Sequence, residues 1–320
     1  MYIVILGAGA MGCLFGGRLA EAGHQVVLVD VWPAHLDAIN SHGLMLETVE
    51  GDRRIAIPAC RAEEVTEPPE LLVLFTKSIH TPRALESARH LLGEETWVLT
   101  LQNGLGNLEA VEAFVPRRRI VVGTTTWPSD LLGPGRVRSL GDGSTRILAA
   151  DAQVTPDLAR ISQTLDRAGL RCAISPEVFA AIWEKLAFNA ALNTLTAVTG
   201  LPVGGVGGTV DGRALARAIV REVVTVANRK GVGASEATVL ATVDEAFRDH
   251  EEHLPSMLQD LRAGRKTEIE AISGAVVREA ASLGLAVPVT QSLYRLVRII
   301  EQGREAERTS FPRHGKEGSR

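Results

Sequence analysis

The sequence is poor in cysteine, poor in lysine beside its many arginines, without an excess of positive charge, and without an apolar run long enough to cross a bilayer. Its three cysteines, Cys13, Cys60 and Cys172, stand far apart with no paired spacing. That pattern excludes a disulfide framework and a zinc site, and fits a reducing compartment. The formal net charge of −4 argues against a nucleic-acid partner, which needs a basic face. With no spanning segment, and with the first strand entered at Tyr2 rather than after a leader, a cytoplasmic protein with no membrane partner is expected. No internal repeat is visible. Because lysine is scarce, a lysine kept inside an apolar segment calls for a reason.

What is present is globular in kind. The 320 residues are 45% hydrophobic and 22% charged, enough chain for two domains with separate cores. The first half alternates short Val-, Ile- and Leu-rich runs with helical spacing. Tyr2–Leu6, Gln25–Asp30, Leu71–Phe75, Trp97–Leu101 and Ile120–Gly123 read as buried strands, with Met11–Ala22 and Arg83–Leu92 as helices. This alternation predicts an α/β fold with right-handed crossovers and a parallel sheet. From Thr124 to Ala150, Thr- and Gly-rich turns suggest antiparallel strands extending that sheet. After Cys172 the period is helical, punctuated by Pro176, Pro202, Pro255 and Pro288. The expected organisation is a dinucleotide-binding domain over 1–174, a helical domain over 175–301, and a polar tail over 302–320 without structure.

Gly7-Ala8-Gly9-Ala10-Met11-Gly12 follows the first strand and opens the first helix. Gly7 permits a tight turn, Gly9 admits a pyrophosphate close to the backbone, and Gly12 lets helix and strand pack closely. Gly16 and Gly17 read as helix packing. Asp30 ends the second strand, where a carboxylate accepts from the ribose hydroxyls of an adenosine and repels a 2′-phosphate; capping of the next turn is the alternative. No Arg or Lys follows in Val31–Asn40, where His35 is the only potential cation. NAD(H) is therefore favoured over NADP(H), with no metal. Lys77 and Asn103 follow the next two strands, where open parallel sheets bind ligands. Taken alone, each reads more readily as a loop residue, Lys77 a solvated lysine and Asn103-Gly104 a turn.

Val178–Val198 is a long, mostly apolar helical pattern in which Lys185, Asn189 and Asn193 recur every four residues. They form one polar stripe on a helix otherwise fit for burial. Asparagine is a poor helix former, so the stripe reads as the lining of a cleft, with a hydrogen-bonded seam between helices as the alternative. Further on, Ser256 after Pro255 either caps a helix or presents its hydroxyl to a carboxylate ligand. Thr267 and Glu270 have capping-box spacing, which leaves Glu268 for another role. His250 and His253 read as an exposed helix face rather than metal ligands.

The segments GAGAMG, LQNGLGN, WEKLAFNAALNTLTAVTG and HLPSMLQDLRAGRKTEIEAISGAVV, in this order, resemble the ketopantoate reductase (2-dehydropantoate 2-reductase) family to about Ile300. The resemblance implies a Rossmann domain followed by an all-helical domain of the 6-phosphogluconate dehydrogenase type, with the active site in the cleft between. It implies Lys185 as general acid and Glu268 as its partner near the cofactor ribose. Asn103, Asn189, Asn193 and Ser256 would be cofactor or substrate ligands, with Lys77 near the cofactor. The implied reaction is reduction of a 2-oxo acid, ketopantoate above all, and the resemblance leaves room for a homodimer. The sequence departs from the family at three places. Asp30-Val31 stands where NADP(H)-using members carry a basic residue. Trp127-Pro128-Ser129 replaces a small polar or His-containing turn. Leu201-Pro202-Val203 is apolar where a substrate-facing polar residue is common. Two other readings stay open: an NAD-dependent 2-hydroxy-acid dehydrogenase of the 2-hydroxyisovalerate or mandelate type, and a non-catalytic dinucleotide sensor.

Overall fold

A computed structural model describes the backbone of residues 1–310 and the side chains of residues 1–305. Two compact units divide at Ile182/Trp183. The first runs β1 (Tyr2–Leu6), α1 (Ala10–Glu21), β2 (Gln25–Val29), α2 (Pro33–His42), β3 (Leu44–Thr48), β4 (Gly51–Ile55), β5 (Ala59–Cys60), β6 (Leu71–Leu74), α3 (Thr81–Ser87), β7 (Trp97–Thr100), α4 (Asn107–Glu112), β8 (Ile120–Thr125), β9 (Asp130–Gly133), β10 (Arg136–Ser139), β11 (Thr145–Ala149), α5 (Pro156–Leu165) and β12 (Cys172–Ile174). The second is helical: α6 (Val178–Thr199), whose first turn belongs to the first unit, α7 (Val203–Gly207), α8 (Val210–Arg229), α9 (Glu236–Asp249), α10 (Ser256–Arg262), α11 (Ser273–Ser282) and α12 (Pro288–Ser310).

The main sheet has eight strands in the order β12-β11-β8-β7-β6-β1-β2-β5. Its pairings are parallel except β8 with β11. The central strands are apolar throughout because helices cover both faces, and the side chains of Ile3 to Ile5 and Leu71 to Leu74 are shut off from water. Register keeps the strand ends level: Leu6 lies beside Val29 and Leu74, and Leu74 beside Thr100. The loops after β1, β2, β6 and β7 therefore emerge along one edge. On α1, Gly16 and Gly17 give close contact with the strands beneath. A Cβ on Gly16 would lie 2.5 Å from Leu28, and one on Gly17 2.9 Å from Ile55.

The residues from Thr124 to Ala150 extend the main sheet only through β11. β9 and β10 instead join β3 and β4 in a second sheet of order β4-β3-β10-β9. This sheet buries Leu44, Leu46 and Val137. Its buried acid, Glu47, is clamped by Arg136 at 2.7 Å and Arg138 at 2.9 Å. The division between the compact units falls within α6, where Val178, Phe179 and Ile182 near its start pack into the sheet core. Pro202 and Pro255 directly precede α7 and α10, and Pro288 begins α12. That last helix continues to Ser310, into the stretch expected to lack structure, while 311–320 lie outside the described residues. Among the described residues no helix is long and apolar enough to cross a membrane.

Candidate active site

At the β1–α1 turn the three motif glycines are required for different reasons. Gly7 has φ +104, a left-handed conformation that side chains disfavour, and a Cβ there would lie 2.5 Å from the Thr76 nitrogen. A Cβ on Gly12 would lie 2.0 Å from the Gly7 carbonyl oxygen and 3.1 Å from Ile5. Gly9 differs: nothing lies within 4 Å of a Cβ built on it. As N-cap of α1 it offers no side chain to the helix amides, so the turn presents N–H groups and a positive dipole end to an open space. Glycine thus holds the turn together at 7 and 12 and keeps it clear at 9, which fits a dinucleotide pyrophosphate.

Asp30, half-buried, continues from β2. Its Oδ2 accepts from the Ala8 amide at 2.9 Å, and its Oδ1 accepts from Val31 at 2.7 Å and Trp32 at 3.1 Å. The carboxylate therefore caps the following turn and also braces the glycine turn. It keeps acceptor capacity for a ribose hydroxyl, since a carboxylate has about four lone-pair sites. His35 is not a cation here. It is 1% exposed, and its Nδ1 accepts from the Gly135 amide at 3.0 Å, which a protonated Nδ1 cannot do. Burial moves its pKa downward as well. The cation beside Asp30 comes from elsewhere. Val29 pairs with Cys60, so Arg61 leaves β5 next to Asp30, and its Nη2 lies 3.4 Å from the Val31 carbonyl. A scan of Val31–Asn40 misses it, because strand pairing and not proximity in sequence brings it there.

Lys77 and Asn103, both half-buried, lie on the loops after the adjacent strands β6 and β7. Gln102 joins those loops: its Nε2 donates to the Thr76 carbonyl at 2.6 Å and to Thr81 Oγ1 at 2.7 Å. Asn107 holds the Asn103 turn by donating to the Asn103 carbonyl at 3.0 Å. Trp127, in the turn that departs from the family pattern, is a packing residue. It is buried, donates to the Leu170 carbonyl at 3.0 Å, and lies under the Arg18 guanidinium at 5.0 Å.

In the second unit α6 carries the polar stripe. No glycine or proline interrupts this helix, and it ends at Gly200, whose φ of +73 stops it. The Glu184 carboxylate accepts from the Ser235 amide at 2.9 Å, and Arg262 on α10 donates to the Gly200 carbonyl at 3.0 Å. Asn189 and Asn193 are 8% and 6% exposed. Neither side-chain amide makes a hydrogen bond with any described residue. A structural seam would satisfy them, since buried amides are costly to leave unpaired. Lys185, one turn earlier, is half-buried. Burial brings its pKa down to about 8, against the opposing pull of the Glu268 carboxylate.

The segment bearing Glu268 is fixed from both sides. The Thr267 amide donates to Glu301 Oε1 at 2.7 Å, and Thr267 Oγ1 accepts from Ile269 at 3.1 Å. Thr267 and Glu270 do not form a capping box, because α11 starts only at Ser273. Glu270 instead accepts from the Tyr294 hydroxyl at 2.9 Å and pairs with Arg278 and Arg298. Ser256 is the first residue of α10 and not its cap, and its exposed hydroxyl makes no hydrogen bond with a described residue. The α9–α10 connection lies directly on α7, where a Cβ on Gly204 would sit 2.7 Å from Glu251 Cα and the Val203 amide donates to the His253 carbonyl at 3.0 Å. Val203 is buried, so it packs under this connection. His250 and His253 are exposed past the end of α9 rather than along its face, and no metal-binding group occurs among the described residues.

Comparison with known proteins covers both units. Residues 3–152 match the family model for ketopantoate reductase PanE/ApbA, and residues 177–301 match the model for the C-terminal part of the same family. A 2-dehydropantoate 2-reductase of Streptococcus pyogenes serotype M18 is 32% identical over 298 residues, spanning 93% of this chain and 97% of that relative. Among solved structures, a D-mandelate dehydrogenase in complex with NADH and anilino(oxo)acetate superposes with a TM-score of 0.90 at 31% identity, covering 95% of this chain and 100% of that one. A PanE/ApbA family ketopantoate reductase from Ralstonia eutropha JMP134 superposes with a TM-score of 0.88 at 31% identity, with the same coverage.

Proposed function

The chain belongs to the ketopantoate reductase family, and from that premise we propose that it reduces 2-dehydropantoate to pantoate with a nicotinamide dinucleotide. The observation that carries this reading is the α6 stripe. Two nearly buried asparagines whose side chains make no hydrogen bond with a described residue continue the line of a lysine whose pKa lies near 8. The glycine turn and Asp30 would hold the dinucleotide, with Lys77 and Asn103 on the neighbouring loops. In its reduced form the dinucleotide supplies a hydride to the carbonyl carbon of the substrate.

The chain's own residues handle the charge that follows. As the carbonyl π pair moves onto oxygen, a cationic donor must already face that oxygen. The Lys185 ammonium serves there and then transfers its proton, leaving a hydroxyl on the product and a neutral amine on the enzyme. A pKa of about 8 suits an acid near neutral pH, where enough of it is charged and the proton still transfers readily. Glu268 holds Lys185 charged and in position. Ser256 offers its hydroxyl to the substrate carboxylate, and Asn189 and Asn193 offer amides to the 4-hydroxyl of ketopantoate. Asp30 supports a preference for NADH.

A second reading, an NADH-dependent 2-hydroxy-acid dehydrogenase, is favoured by the likeness to D-mandelate dehydrogenase and by the apolar Leu201-Pro202-Val203 segment. NADH and NADPH oxidation with a panel of 2-oxo acids separates the two. The proposal expects the highest kcat/KM with ketopantoate. A higher value with an aryl or branched 2-oxo acid lacking the 4-hydroxyl moves the assignment to the dehydrogenase. No oxidation with any of them removes both in favour of a binding protein.

A further inference from the structure

We infer that Glu301, on the last helix, is a positioning residue that holds Glu268 toward Lys185; its consequence for catalysis rests on the reductase reading above. Glu268 lies on the connection from α10 to α11, outside any regular element. The connection begins in a turn, where Gly264 has φ +65 and the Arg265 amide donates to the Asp260 carbonyl at 2.8 Å. It ends where the Glu268 carbonyl accepts from the amides of Ala271 and Ile272, at 3.1 and 3.0 Å. Between these points stands Thr267, 2% exposed. A backbone N–H so enclosed needs a partner. It finds one 34 positions away in the chain, where Glu301 Oε1 accepts from it at 2.7 Å. A charged acceptor makes such a bond short and strong.

The grip comes from one face of α12. Glu301, Arg304 and Glu305 stand at i, i+3 and i+4 on that helix. Arg304 Nη1 donates to the Leu261 carbonyl near the end of α10, and Glu305 lies 3.9 Å from Lys266. The last contact joins two exposed side chains and contributes little. The first two hold the connection at positions 261 and 267. The other charged groups there have other partners: Arg265 pairs with Asp260, Glu270 with Arg278 and Arg298, and Glu184 on α6 accepts from the Ser235 amide. Thr267 is bonded directly to Glu268, so a displaced Thr267 carries Glu268 with it. The Glu268 carboxylate opposes the burial that brings Lys185 down to about 8. Its separation from Lys185 therefore sets how much ammonium persists near neutral pH. Glu301 acts through Glu268 and not on the substrate.

The test is NMR titration of the full chain labelled with carbon-13 at the lysine Cε, with the Lys185 signal assigned by its loss in Lys185→Met. Glu301→Ala should lower the Lys185 midpoint by about one unit. It should also slow single-turnover hydride transfer on the order of 10- to 100-fold, with NADH affinity unchanged. Glu301→Gln keeps an oxygen for the Thr267 amide and should stay near the parent in both. Glu268→Gln should lower the midpoint too, and adding Glu301→Ala to it should lower it no further, because the two residues act in series. A parent-like midpoint in Glu301→Ala would overturn the inference. So would a midpoint in Glu301→Gln as low as in Glu301→Ala, which would make the charge and not the bond responsible, or an additive shift in the double variant. If Glu301→Ala fails to fold, Glu301→Asp carries the same test, since it keeps the charge one methylene short of the amide. A lowered midpoint there supports the inference and a parent-like one overturns it. If the midpoint shifts as stated in a chain that reduces no 2-oxo acid, the positioning stands and the reductase reading alone falls.

Discussion

The Gln102 side-chain amide donates to the Thr76 carbonyl at 2.6 Å, and this bond ties the loop bearing Asn103 to the loop bearing Lys77. The same nitrogen reaches Thr81 Oγ1 at 2.7 Å, while Thr100 Oγ1 donates to Gln102 Oε1 at 3.0 Å. Both ends of one amide are engaged across two strand ends. Gln102→Leu keeps the bulk and removes the bonds. It should weaken NADH binding by about 1–2 kcal/mol, the scale of leaving a partly buried acceptor without its donor, with little change in hydride transfer once NADH is saturating. Unchanged NADH affinity by fluorescence titration would show that the loops are held by other contacts.

Gly9 and Gly12 should respond oppositely to the same small change. Gly9→Ala places a methyl in open space on a residue with φ −69. Its stability should stay within about 0.5 kcal/mol of the parent, while NADH affinity falls because the methyl occupies the pyrophosphate approach. Gly12→Ala puts a carbon 2.0 Å from the Gly7 carbonyl and should fail to fold or lose several degrees in Tm. A Gly9→Ala protein that binds NADH as the parent does would move the pyrophosphate off this turn.

Lys185→Ala should lose about 100- to 1,000-fold or more in single-turnover hydride transfer, the cost of removing one preorganised donor, while still binding NADH. Lys185→Arg retains the charge but releases a proton poorly, so its turnover should stay low. Transfer by Lys185→Ala at near the parent rate would make Lys185 a buried structural lysine, and the acid would have to be sought elsewhere.

The pH profile follows from the same pKa of about 8. Reduction needs the ammonium and should decline as pH rises through about 8; oxidation of the hydroxy acid needs the neutral amine and should increase over that range. Stability carries an independent readout. The unfolded lysine keeps its ordinary value of 10.5, so between about 8 and 10.5 the unfolded chain binds more protons and rising pH favours the folded state at this group. Lys185→Met should raise Tm at pH 7, and its advantage over the parent should shrink as pH climbs through that window. An advantage independent of pH would mean that burial does not burden Lys185.

Asn193→Ala separates the two substrate readings. If the amide meets the 4-hydroxyl, turnover of ketopantoate should fall much more than turnover of 2-oxoisovalerate, which lacks that group, because polar sites discriminate through the pairing of buried groups. Equal losses on both substrates would return Asn193 to a structural role.

The sequence alone determined what depends on local periodicity and backbone demands. β1 was legible because a short apolar run meets a glycine turn, and α6 because its period continues unbroken to Gly200. The polar stripe was legible because helical geometry places 185, 189 and 193 on one face whatever surrounds them. Tertiary structure decided what depends on which segments meet. Gly51–Ile55 carries Asp52, Arg53 and Arg54 and does not read as a strand until pairing with Leu44–Thr48 gives it a sheet. Thr267 and Glu270 have capping spacing but no helix to cap, because α11 begins later and Glu270 is drawn to Tyr294 and two arginines. His35 was only a potential cation in the sequence and is a buried acceptor in the fold. Arg61 lies 31 positions from Asp30 in the chain and beside it in space, since a parallel pairing joins strands that only a long crossover can connect. Spacing along a chain encodes helix faces and turns; it does not encode which strand end will stand next to a charge.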